Sequence, residues 1–177
     1  MHREMEKRIR QYAGILFAIV LYYVVHEGAH LLVALGYGVF KQINLIGLGI
    51  QIDIFREQMT DVQLGIFCLV GPLTTFLMAW LFIAARKQIC RSKSKYIKTF
   101  GYYGTLALMM IDPLYLLIVY RFVGGGDMNG MKLLIPEVVV QLVCGIIGLF
   151  HLYVIKKMIL PDYTEAFKAP ADSPMEE

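Results

Sequence analysis

The sequence predicts an all-α polytopic membrane protein with about four transmembrane helices and a short β-hairpin or re-entrant strand segment after the first. Three observations carry that expectation. The 177 residues are 58% hydrophobic with a mean hydropathy of +0.59, which is too apolar for a soluble domain of this length. Apolar windows of roughly 20 residues, enough to cross a hydrocarbon core of about 30 Å, recur about four times. Between the first two windows lies a glycine-punctuated segment with strand-like alternation. A single membrane domain over 12–157 accounts for the chain, with a basic arm over 1–11 and a polar, partly disordered tail over 158–177.

The arm mixes Arg3, Lys7, Arg8 and Arg10 with Glu4 and Glu6. It looks like the start of a signal peptide, but no A-x-A-like site closes the apolar run, which continues to Gly36. The first helix, 12–37, is therefore expected to be retained. From 38 to 56, Gly38, Gly47 and Gly49 interrupt a series of isoleucines and leucines, with Gln51 and Asp53 alternating near its end. Non-helical backbone at membrane depth must be satisfied by protein or a water-filled cavity, so a hairpin over the first helix is the economical reading and an external loop the alternative. The second helix, 62–85, contains Gly71-Pro72, a bend that opens space beside its neighbour. A basic loop over 86–98 follows, then a third helix over 99–122 interrupted by Asp112-Pro113. A glycine-rich loop around Asp127 and a fourth helix over 133–155 complete the domain.

Lysines and arginines set the expected orientation. The arm, the 86–98 loop and Lys156, Lys157 and Lys168 would share one side, with only Lys41, Arg56, Arg121 and Lys132 on the other. The positive-inside rule then places both termini in the cytoplasm. The net charge of +3 reflects that topology and carries no nucleic-acid signal.

The chemistry concentrates in His26-Glu27-Gly28-Ala29-His30. Helical residues four apart share a face, so His26 and His30 can offer both imidazoles to one zinc ion. Glu27, one step around the helix, is placed to deprotonate a water activated by that ion. Ionisable residues in a spanning helix are costly, which argues for a use. His26 lies roughly 21 Å into the membrane from residue 12, at ~1.5 Å per residue, toward the side where the Asp127 loop emerges. Three carboxylates compete for the third ligand. Asp127 is favoured because its glycine-rich loop can dip back, Asp112 inside the third helix comes second, and Glu137 is third. His151 falls nearer the opposite face and reads as a packed histidine, and Cys68, Cys90 and Cys144 read as free thiols.

The first helix with its His-Glu-Gly-Ala-His run, followed by Leu35-Gly36-Tyr37-Gly38 and the glycine-punctuated strands to Ile54, resembles the site-2 protease family of intramembrane zinc metalloproteases. Gly71-Pro72 resembles the family's Gly-Pro motif, with Thr75 where members often carry asparagine. Gly126-Asp127-Met128-Asn129-Gly130 loosely matches the late Leu-Asp-Gly motif that supplies the third zinc ligand. The resemblance implies cleavage of a membrane-spanning or membrane-near peptide, with Gly71, Pro72 and Thr75 facing substrate. Members are thought to hold zinc nearer the cytosol, whereas the charge distribution here places it nearer the outside. The competing reading is a non-catalytic zinc-binding membrane scaffold or sensor, which would have no need of Glu27 as a base.

Overall fold

The computed structural model describes residues 2–46, 49–124 and 126–168. Four of its helices are long and apolar enough to cross a membrane: Glu4–Tyr37, Asp61–Arg91, Lys95–Val123 and Glu137–Lys168. A two-stranded antiparallel sheet follows the first. The expectations for Gly47, for Gly125 and for the tail beyond 168 lie outside the described residues.

Helix α1 (His2–Tyr37) begins well before the expected residue 12. Its arm is rich in Glu, Lys and Arg, good helix formers whose charges are solvated as the apolar part packs. The helix stops at Gly38, whose φ of +70° is left-handed. The Gly38 amide donates to the Leu35 carbonyl at 3.1 Å and the Val39 amide to the Ala34 carbonyl at 2.9 Å. This is a Schellman stop, completed by Ala34 and Val39 in one buried cluster. It turns the chain back so that the hairpin lies against the helix it has just left.

Strands β1 (Phe40–Ile46) and β2 (Gly49–Ile54) pair with Ile43 opposite Ile52, and the register shifts between Phe40 and Gln42. Ile52 is buried with Ala34, Val39 and Phe67, which anchors β2 on the helices. On the open face, Lys41 Nζ sits 3.1 Å from Asp53 Oδ2 and holds that carboxyl below its ordinary pKa range.

Helix α2 (Asp61–Arg91) opens with a capping box. The Thr60 hydroxyl accepts from the Gln63 amide at 3.2 Å, and the Gln63 side chain accepts from the Thr60 amide at 2.9 Å. Its far end corrects the expected basic loop over 86–98. The helix continues through Arg86 and Lys87 to Arg91, and only residues 92–94 separate it from α3 (Lys95–Leu114). Arg86 explains part of the extension, because its Nε donates to Asp162 at 2.8 Å and its guanidinium to the Ile83 carbonyl at 2.9 Å.

Helix α3 passes through Pro113 into a π-helical turn, Tyr115–Val119, and a last turn, α4 (Tyr120–Val123). Proline has no N–H, so the Met109 carbonyl four residues earlier loses its helical donor. His151 supplies one from α6 (Glu137–Val154), Nδ1 donating to Met109 at 2.7 Å. The packed-histidine reading of His151 thereby acquires a cause.

The expected loop around Asp127 contains a short helix, α5 (Gly126–Met131). Met128 and Met131 are buried, and Gly130 abuts Cys68 on α2 so closely that a Cβ there would lie 2.3 Å from the thiol sulfur. Burial of the two methionines orders a segment whose composition reads as loop. The tail is likewise corrected over its first part. A second π-helical turn, Ile155–Ile159, leads into α7 (Leu160–Lys168), which buries Tyr163 and Ala166.

Two buried clusters divide the bundle. One gathers Ala34, Phe67, Cys68, Leu116 and Met128, and the other Ala79, Ile83, Leu108, Met109 and Tyr163. Along α2 the stretch from Gly71 to Thr75 falls between them, as does Asp112 along α3. Leu16, Leu32, Leu77, Leu142 and Leu149 are exposed on the outer faces, the arrangement expected where lipid is the solvent.

Candidate metal centre

His26 and His30 stand one turn apart on α1 and are both buried. Their Nε2 atoms lie 3.1 Å apart. Helix α5 brings Asp127 to the same point, with Oδ2 3.1 Å from His26 Nε2 and Oδ1 3.4 Å from His30 Nε2. One ligand atom from each of the three residues lies within 4.8 Å of the others, so the group can hold a metal ion.

The outer nitrogens show which protons are where. His30 Nδ1 is 2.7 Å from the Phe67 carbonyl oxygen, which can only accept, so Nδ1 carries the proton. His26 Nδ1 is 3.2 Å from Asp112 Oδ1, and a carboxylate imposes the same tautomer. Both Nε2 atoms therefore turn lone pairs toward each other and toward Asp127. Three such acceptors repel unless a cation lies between them. Ligands bound at ~2.0–2.1 Å around a tetrahedral centre stand about 3.3–3.4 Å apart, close to the separations found here. Two imidazoles and one carboxylate suit a divalent transition metal and leave a coordination position over.

Asp112, the second choice as ligand, is on the other side of His26. It is fully buried, accepts from the Tyr22 hydroxyl at 2.7 Å, and also accepts from the Thr75 hydroxyl. This carboxylate on Nδ1 orients the imidazole and raises its basicity. Glu137 is elsewhere, accepting from the Tyr120 hydroxyl, with Arg121 at 3.9 Å.

Helix α2 provides the floor. A Cβ on Gly71 would lie 2.5 Å from His30 Nε2 and 2.8 Å from His26 Nε2. The space expected to admit substrate beside Gly71 is thus filled by the imidazoles. Thr75 is buried, with its hydroxyl on Asp112 and 2.8 Å from the Pro72 carbonyl oxygen. Gly71, Pro72 and Thr75 shape the site from beneath, and none of them lines the cleft above it. Gly71→Ala should therefore lower the metal content of the purified protein, with overpacking costing about 1–3 kcal/mol. Full metal occupancy in that variant would contradict the close approach.

The cleft encloses about 690 Å³ between α1, β2 and the α4–α5 connection, with His26, Glu27, His30 and Asp127 in its lining. Glu27 Oε2 accepts from the Ile52 amide at 3.2 Å, so β2 steadies a carboxylate of the cleft lining that stands outside the proposed ligand set. Sequence reasoning missed Tyr22 and the two backbone partners. Tyr22, four residues before His26, shares its helix face, so the spacing that pairs the histidines also selects it. The Phe67 carbonyl and the Ile52 amide carry no side-chain signature. Among known proteins, no family model, curated protein or solved structure matches this chain.

Proposed function

We propose that this chain is an intramembrane zinc metalloendopeptidase of the site-2 protease type, hydrolysing peptide bonds of membrane-spanning or membrane-near substrates. The observation that carries the reading is the convergence of His26 Nε2, His30 Nε2 and Asp127 as three proton-free acceptors, in a cleft that Glu27 also lines. A purely structural zinc site closes with four protein ligands, whereas the described residues here offer three, with Glu27 lining the same cleft.

His26, His30 and Asp127 would hold a zinc ion, which would supply Lewis acidity for activating water and polarising a carbonyl. Glu27 takes the proton of the attacking water as its oxygen joins the carbonyl carbon. When the carbon–nitrogen bond breaks, Glu27 returns that proton to the leaving amine. Asp112 and the Phe67 carbonyl keep both imidazoles in the ligating tautomer. The substrate unwinds locally and lies extended beside β2, where backbone pairing can hold it. Its source is the bilayer, and both termini of the chain face the cytoplasm with the basic helix ends.

Purified protein incubated with a library of transmembrane peptides should cleave a subset of them. Cleavage should stop with a chelator and return with added zinc. Hydrolysis that continues undiminished in the metal-free protein would overturn the reading, and zinc binding with no cleavage of any peptide would favour the scaffold.

A further inference from the structure

A second cavity, of about 500 Å³, lies between the start of α1, the start of α3 and α7, away from the metal centre. Lys7, Arg10 and Lys95 line it, and among the described residues no carboxylate does. Three positive charges gathered with no counter-charge among the described lining residues call for an anion. Lys95 is the first residue of α3, a helix of 20 residues, so the positive end of that helix dipole adds to the positive potential near the cavity. The Arg10 guanidinium lies 5.9 Å from the centre of the Phe167 ring, which holds it over the cavity. The tyrosines Tyr102 and Tyr103 complete the wall with hydroxyls that can donate to a phosphate oxygen.

The surroundings indicate which anion. The cavity sits at the ends of spanning helices, where aromatic and basic residues meet the headgroup layer. Leu160 in its wall is an exposed apolar residue, suited to contact an acyl chain below the headgroup. We propose that this cavity binds the phosphate headgroup of an anionic membrane lipid. The site joins α1, which carries both histidines, to α3, which carries Asp112, so an occupied cavity clamps two of the helices that build the metal centre. The inference rests on the membrane character of the chain and is independent of proteolysis.

The test uses the full chain in nanodiscs of phosphatidylcholine alone, or with one fifth phosphatidylglycerol, and native mass spectrometry to count retained lipid. Wild type should keep about one phosphatidylglycerol per chain, and K7Q/R10Q/K95Q should keep at least tenfold less. A triple variant of basic residues outside the cavity, K87Q/R91Q/K93Q, should retain it as wild type does. Equal loss in both triple variants would mean a diffuse surface charge and would overturn the site. Inorganic phosphate added at millimolar concentration should not displace the lipid, and displacement would reassign the cavity to a soluble phosphate. Metal content, measured on each variant, reports folding: if it falls in K7Q/R10Q/K95Q, the single variant K95Q, at an exposed position, must by itself lose the lipid or the proposal fails.

Discussion

Glu27→Gln is expected to lower peptide hydrolysis by about 10²–10⁴-fold while the protein keeps its full complement of zinc. Glutamine retains the shape of glutamate, and its amide oxygen can still accept from the Ile52 amide, so the tie to β2 survives the substitution. What it loses is the ability to take a proton from water. Glu27 also stands apart from the ligand set, since His26, His30 and Asp127 form the triad without it. Metal analysis together with the rate of cleavage separates the roles. Wild-type turnover in the variant would remove Glu27 from the chemistry, and loss of zinc would move it into the ligand set.

Replacing Asp127 with alanine should empty the site, and replacing Asp112 with asparagine should weaken zinc binding only about 10–100-fold. The difference follows from which side of His26 each carboxylate occupies. Asp127 approaches Nε2 of both histidines at 3.1 and 3.4 Å, the side on which the lone pairs converge. Asp112 approaches His26 Nδ1, and it acts on the metal only through the imidazole between them. An asparagine at 112 can present its NH₂ to Nδ1, which pushes the ring proton to Nε2 and costs ligation without removing the ligand. Competition with a chromophoric chelator measures both affinities. If Asp112→Asn proved the more damaging, the third-ligand role would pass to Asp112.

Much of this site is legible in the chain because a helix converts spacing into geometry. His26 and His30 share a face at four residues' separation whatever surrounds them, and Glu27 is offset from them by one step. Asp127 could be singled out by its glycine-rich surroundings. Its short helix could not, because α5 is ordered by burial of Met128 and Met131 and by the fit of Gly130 against Cys68. The same limit applies to the basic segment after residue 85. Its charges read as a loop, while the contact of Arg86 with Asp162, which keeps α2 helical, joins residues 76 positions apart.

Gly71 and Thr75 show the boundary most clearly. Composition marks Gly71-Pro72 as a bend and suggests room for substrate, but the room is taken by the two imidazoles. The family resemblance implies that Thr75 faces a substrate, whereas its hydroxyl donates to Asp112. By itself the sequence determined four membrane-length helices, a hairpin after the first, and two histidines and a glutamate on one turn, because these depend on local periodicity and apolar length. The assignment of Asp127 to the lone-pair side of the histidines and Asp112 to the proton side was decided only by the packing of α1, α2, α3 and α5. Two carboxylates at similar depth are equivalent to a sequence, and only the direction from which each backbone approaches the imidazole distinguishes them.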